Sequence, residues 1–403
     1  MFVSRDPLIV CVSIGRLELK VAVGGRAELL GLPVAVAPGP GAQRIGDVSI
    51  AAEAYGITPR MRFGEALSRC PGLMLVPPDP AGVADHWQRL LISLEGIGAA
   101  VESLRPGLAC FDAQGILRLH GGSLRAVLGA VRQALGEPAR FGVAPTRFAA
   151  LAAASRARVR HPLVVGGGER GAREFLASMP VALLRDDPPL SALIEPLERL
   201  GVATLGDLAA LPVAAVSDRF GAPGRAAHRL ARGIDTPLRP RDPGEFVQES
   251  IELPEAGSGG QLEQALGMLI DRLLARHERR GRTLRTVVLA ATMVEQGGTW
   301  RSQVTFREAL SDPLRMRLAL APKLALVPAP VQLLKLAAQR FGPPAGGQQA
   351  LLHDPPQARR ARLREAISQA RAVAGPDAAL RVFELDPGSR FPERRAALTS
   401  FEL

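Results

Sequence analysis

Two patterns in this sequence are suited to holding phosphate. Between Asp271 and Arg340 there are thirteen basic and five acidic residues, and Arg276, Arg279, Arg280, Arg282, Arg285 and Arg301 crowd the first half of that stretch. Guanidinium groups at this density bind the oxygens of a nucleic-acid backbone without reading bases; a solvated helix face is the plainer use of the same charges. The second pattern is Leu197–Pro212 (LERLGVATLGDLAALP). A helix ending at Gly201, a short turn and a second helix capped by Thr204 predict a helix-hairpin-helix. Backbone amides around Gly201, Thr204 and Gly206 would then be offered to a DNA phosphate. Ordinary packing of two short helices is the alternative. Cys11, Cys70 and Cys110 are isolated, with no CxxC pair, which excludes a disulfide framework and a zinc ribbon. They read as buried thiols in a reducing cytosol, and no metal ligand set or cofactor is expected.

The elements that must position these groups follow from composition and periodicity. At ~100–200 residues per domain, a chain of 403 residues holds two to three domains, and 47% apolar residues are enough to bury their cores. The net charge of +11 points to a polyanion, although all but Lys20, Lys323 and Lys335 of the fifty cations are arginine, which a GC-rich codon bias also produces. Aromatics make up only 4% of the chain, with Tyr55 the single tyrosine, so a reader of stacked single-stranded bases is not expected. Leu8–Ile14 reads as a first strand and not a signal peptide. Leu318–Ala338 carries two lysines and three prolines and cannot span a bilayer. The expectation is a soluble, cytoplasmic protein with no membrane partner.

Along the chain, Leu8–Ile14 is a strand and Leu17–Val23 alternating or helical. A compact, helical unit is expected around Ala51–Cys70, then a helix at Val83–Leu94. Gly107–Asp112 and Gly115–His120 read as two short strands, Ser123–Leu135 as a helix, Ala139–Val143 as a strand and Pro145–Ala157 as an Ala-rich helix. This is a ferredoxin-like order with an insertion. Glu169–Leu238 is helical throughout. Phe246–Leu253 predicts a strand and Gln261–Arg280 a helix stopped by Gly281. Leu284–Met293 and Trp300–Phe306 form a hairpin, and Pro313–Leu320 and Val331–Leu336 complete a second β-α-β-β-α-β set. Beyond it lie an exposed segment at Gln348–Leu352, a basic helix at Ala358–Ala374 and a strand at Leu380–Leu385.

Strung together, these segments resemble the Y-family of lesion-bypass DNA polymerases. Gly142–Phe148 (GVAPTRF) is similar to the turn that leads into a palm helix, and Gly56–Pro71 (GITPRMRFGEALSRCP) to the fingers phrase. Leu200–Pro212 is similar to the thumb's helix-hairpin-helix, and Phe220–Pro240 to its sequel. The resemblance implies an α+β fold with a ferredoxin-like palm (1–30 and 81–165), small fingers (31–80), a helical helix-hairpin-helix thumb (166–240) and a βαββαβ little finger (241–340). A C-terminal tail (341–403) would follow.

The chemistry of that family needs carboxylates on the palm sheet to bridge two divalent metals. Laid onto this chain, its phrases put Ser13 and Gly15 where the first strand's aspartates belong, and Gly107 and Leu108 where an Asp-Glu pair belongs. Ile50 and Glu53 stand where a tyrosine and an arginine would hold the incoming triphosphate. Asp6, Glu18, Glu102 and Asp112 are the nearest acids, and on an extended strand Glu18 would lie on the face opposite Ser13. The pattern, with Cys11–Val23, Leu119–Gly122 (LHGG) and Phe391–Arg395 (FPERR), resembles the ImuB-type branch of the family. That resemblance implies a chain that is not an enzyme: a scaffold for damage-induced mutagenesis that binds DNA through its backbone and recruits a DnaE-class error-prone polymerase. Its other partners would be the bacterial sliding clamp and a RecA-like accessory protein. An active translesion polymerase and a general DNA-binding protein are the alternatives. Gln348–Leu352 (QQALL) fits a clamp ligand, with Gln348 at the rim of a groove and Leu351 and Leu352 in an apolar pocket.

Overall fold

Four apolar residues in succession open β1 (Ile9–Ser13), and all four are buried. A run of this kind is stable only where both faces of a strand are covered. The computed structural model describes residues 7–242, 247–294, 298–328, 330–344 and 375–400, with positions 367 and 371. It divides into two units, Met1–Pro243 and Gly244–Leu403.

In the first unit β1 leads through Arg16, in the left-handed conformation, into α1 (Leu17–Val23). β2 (Val34–Val36), α2 (Ile50–Glu53), α3 (Phe63–Arg69) and β3 (Met74–Val76) form a small separate layer around Ile45, Val48, Ile57 and Leu73. Then come α4 (Pro80–Gly96), β4 (Val101–Arg105), β5 (Leu108–Asp112), α5 (Leu124–Leu135), β6 (Arg140–Ala144), α6 (Arg147–Arg156) and β7 (Leu163–Val164). The five strands β4-β5-β1-β6-β7 make one sheet, antiparallel except for β6 against β7. Val10 and Val12 point to the side covered by α4 and α5, with Trp87, Leu91, Val127 and Val131. Ile9 and Cys11 point to the other side, with Phe148 and the alanines of α6. At Gly142 a Cβ would lie 2.1 Å from the Ala150 carbonyl oxygen, so glycine there and alanines in α6 let helix and sheet approach closely. Five helices follow: α7 (Gly168–Ala177), α8 (Pro188–Ser191), α9 (Ile194–Arg199), α10 (Leu205–Ala210) and α11 (Val213–Ala231), the last kinked at Gly221. Their leucines join the α6 side of the core.

Two readings of this unit need correction. The hairpin beside β1 is β4–β5, not Gly107–Asp112 with Gly115–His120, which is instead a pair of 3-10 turns. β4 is an edge strand with only Val101 and Glu102 buried, so it lacks the apolar run that marks a strand in sequence. Glu18 lies on helix α1, so period-two alternation from Ser13 does not apply to it.

The second unit contains β8 (Val247–Gly257), α12 (Gly260–Ala275), β9 (Arg282–Met293), β10 (Thr299–Leu310), α13 (Pro313–Leu324) and β11 (Val331–Pro344). The element order is β-α-β-β-α-β as read, but the sheet order β10-β9-β11-β8 is not ferredoxin-like and puts β9 and β11 at the centre. Leu262, Leu266, Leu269, Ile270 and Leu273 of α12 pack on Leu289, Ala291, Leu334 and Leu336, with Trp300, Val304 and Phe306 on the same side. The helix ends at Ala275, five residues before the expected stop, because the apolar stripe ends at Leu273 and Leu274; Arg276 is already extended. A separate two-stranded ribbon, β12 (Leu380–Glu384) against β13 (Ala396–Ser400), closes the described chain. Gln348–Leu352 and nearly all of Ala358–Ala374 lie outside the described residues.

Candidate functional site

Ser13 ends β1, half-buried, with Leu108 of β5 opposite it on one side and Arg140 of β6 on the other. Leu108 is buried, and it lines a cavity of about 300 Å³ with Leu104, Phe148, Leu151 and Leu184. Gly107 makes the tight β4–β5 turn at φ +82°, where a Cβ would lie 2.7 Å from the Ile14 carbonyl oxygen. Its own carbonyl accepts from the Ile14 amide at 2.8 Å. A side chain at 107 therefore has no room in this backbone.

The nearby acids are otherwise engaged. Glu102 accepts from Arg147 Nη1 at 2.7 Å and from the Arg239 amide at 3.0 Å. Asp112 accepts from the amides of Leu8 and Gln114. Glu18 sits beside Asp47; burial, then the Asp47 charge, push its carboxyl above the ordinary carboxylate range. Among the described residues no group of three His, Cys, Asp or Glu is placed to hold a metal ion. Ser13, Gly107 and Leu108 offer no bridging oxygen anion, so this donor set does not fit a pair of divalent cations. Glu53, at the place the resemblance gives to an arginine, pairs with Arg16 at 2.6 Å, while Ile50 is exposed. The Arg16–Glu53 pair joins residues 37 positions apart, which local sequence does not reveal.

The hairpin at Gly201 has the expected form. Thr204 caps α10 by accepting from the Asp207 amide, and the Asp207 carboxylate accepts from the amides of Thr204 and Ala203. The amides of Gly201, Val202 and Leu205 donate to Glu198, Leu197 and Met179 carbonyls. Gly206 packs against Ala177 of α7. A phosphate approaching this turn meets one carboxylate, and the amides from Gly201 to Leu205 are already bonded within the protein.

In the second unit the six arginines separate. Arg276 bonds to Glu249, Arg279 donates to the Arg282 carbonyl, Arg282 stacks over Phe341 at 4.2 Å and Arg285 bonds to the Arg307 carbonyl. Arg280 follows the 3-10 turn in the left-handed conformation. Arg301 lies on the sheet face opposite the helices. There the register aligns Ser250, Lys335, Ala290 and Arg301 across all four strands, with Gln248, Ala337, Val288 and Gln303 in the next row. Ala290 thus lies between two cations, and Ala337 and Val288 lie between two amides, with Arg307 further along β10 and Glu252 the acid at the other end. Lys335 was missed in the sequence, although its place between inward-facing Leu334 and Leu336 marks it as outward.

The chain matches the impB/mucB/samB family over residues 19–155. It is 31% identical over 274 residues to DNA polymerase IV of Moorella thermoacetica, covering 65% of this chain and 67% of that protein. DNA polymerase IV of Dehalococcoides mccartyi is 25% identical over 386 residues, covering 93% and 94%. That of Caulobacter vibrioides is 29% identical over 185 residues, 45% of each chain. These relatives overturn the expectation that the chain is not an enzyme, because each carries the name of one. No helix among the described residues is long and apolar enough to cross a membrane. With its family match in the first unit and relatives aligned through both, the chain belongs to the Y-family of DNA polymerases.

Proposed function

We propose that this protein acts in translesion DNA synthesis and mutagenic repair, bound to DNA and recruiting a DnaE-class error-prone polymerase at the sliding clamp. The observation that carries the reading is the row of cations on the sheet face of the second unit opposite its helices. Lys335 and Arg301, about 10 Å apart across two strand spacings, lie on either side of Ala290. Cations in that arrangement bind backbone phosphates and leave bases unread. Membership of a polymerase family and the names of its relatives support DNA as the partner. The similarity to the ImuB-type branch supports the recruiting role, with a RecA-like accessory protein as a further partner. Gln348, Leu351 and Leu352 would hold the clamp; each buried leucine contributes ~1.5–3 kcal/mol. In the layout this reading adopts, the five-stranded sheet is the palm, the layer with β2 and β3 the fingers, α7–α11 the thumb and the four-stranded sheet the little finger.

Two measurements test the proposal. A triple variant Arg301→Ala/Arg307→Ala/Lys335→Ala should lose most of its affinity for a primed duplex; unchanged affinity removes the sheet face from the reading. Leu351→Ala/Leu352→Ala should abolish clamp pull-down while DNA binding stays. Loss of folding in that variant instead would place the leucines in a core.

A further inference from the structure

Cys11, Cys70 and Cys110 are all buried, and the proposed role uses none of them. Cys11 and Cys110 are register partners across β1 and β5. The Ile14 amide donates to Gly107 and the Ala113 amide to Leu8, so the hydrogen-bonded pairs of this ladder fall at even-numbered positions of β1. Cys11 and Cys110 therefore form a non-hydrogen-bonded pair. In such pairs the Cα atoms are about 4.5 Å apart and the side chains closest, within the span a disulfide bridges. Both thiols lie on the α6 side of the sheet and are fully buried. Leu108, next along that face of β5, lines the 300 Å³ cavity, which has room for a molecule the size of hydrogen peroxide. Cys70 belongs to a different cluster, with Ile45, Ala66 and Leu73.

We infer that Cys11 and Cys110 are a modification site, a dithiol that hydrogen peroxide closes to a cross-strand disulfide at the centre of the five-stranded sheet. One thiolate sulfur attacks a peroxide oxygen and the O–O bond breaks, giving a sulfenic acid and, after proton transfer, water. The second sulfur attacks the sulfenic sulfur, the S–O bond breaks and a second water leaves. The two thiols together lose two hydrogens, and the peroxide is reduced to two waters. The neighbouring Cys11 thiol and burial both hold the Cys110 thiol protonated, so closure is slow. Once formed, the bond fixes β1 against β5 two pairs before Ser13 and Leu108 and closes a long loop, which raises the unfolding temperature.

The test uses the full chain exposed to hydrogen peroxide, then denatured, alkylated and mapped by peptide mass spectrometry. The expected product is a Cys11–Cys110 peptide pair lighter by two hydrogens and reversed by dithiothreitol, with Cys70 alkylated and the melting temperature raised by a few degrees. Cys70→Ala should keep the cross-link and Cys110→Ala should lose it. Alkylation of both Cys11 and Cys110 after peroxide, oxidation of either to a sulfinic acid without cross-linking, or a disulfide to Cys70 would each overturn the inference. The wild-type map decides the matter even where Cys110→Ala does not fold.

Discussion

Arg147 donates to Glu102 at 2.7 Å, tying the first turn of α6 to the edge strand β4. Its other nitrogen reaches Asp235 at 3.1 Å, and Asp235 also accepts from the Phe148 amide at 2.8 Å. The segment after α11 is thereby strapped to the sheet, reinforced where Arg241 grips Glu95 and Gln88 and donates its amide to Val101.

Removing Arg147 leaves two carboxylates with little exposure and no cation. Burial lowers its pKa, but Asp235 and Glu102 outweigh this and raise it, so it is charged throughout the accessible range. Arg147→Met should destabilise the first unit by about 3 kcal/mol, the low end for a broken buried pair, read as a drop in urea midpoint. Arg147→Met/Glu102→Gln should recover part of that loss. Equal stability of wild type and Arg147→Met would show the pair to be an exposed contact of no consequence.

Gly107→Ala tests the tight turn. A left-handed residue with a Cβ costs ~1–2 kcal/mol, and the contact with the Ile14 carbonyl adds to it. A loss of about 2 kcal/mol is expected by thermal or urea unfolding. A neutral result would mean that the β4–β5 turn shifts at little cost.

Glu18 and Glu137 should respond to pH in opposite senses. Burial and Asp47 raise the Glu18 carboxyl above its ordinary 4.5, so the ionised form disfavours folding at neutral pH. Glu18→Gln should therefore stabilise the protein at pH 7, the gain shrinking as pH falls toward 4.5. Burial also pushes Glu137 up, but hydrogen bonds from His86 and Lys20 prevail and hold it below 4.5. Its contribution is present above 4.5 and lost as pH falls further, so Glu137→Gln should weaken the fold at pH 7 and converge with wild type in acid. Urea midpoints across pH 3–7 check both signs.

The two groups of arginines should separate in salt titrations of DNA binding. Arg301→Ala and Lys335→Ala should each flatten the slope of log affinity against log salt by ~0.7–0.9. Arg276→Ala should leave it nearly unchanged, since that residue stands at the end of α12 and not on the sheet face. The reverse order, read by fluorescence anisotropy, would move the DNA surface to the end of α12.

Periodicity and punctuation determined much by themselves. Leu262 to Leu273 recur at helical spacing and had to bury one face; Thr204 before LGDLAA had to cap a helix; Ile9 to Val12 had to be covered on both sides. These signals are local, because the hydrogen bonds and apolar stripes they report lie within a few residues. Tertiary structure decided what pairing over long separations decides. The edge strand β4 is legible only beside β5, the central places of β9 and β11 depend on sheet order, and Glu53 finds its cation 37 residues away. Lys335 joins Arg301 only because two antiparallel registers meet at Ala290. Cys11 meets Cys110 for the same reason: the ladder that aligns strands, not the spacing of the residues along the chain, sets which side chains touch.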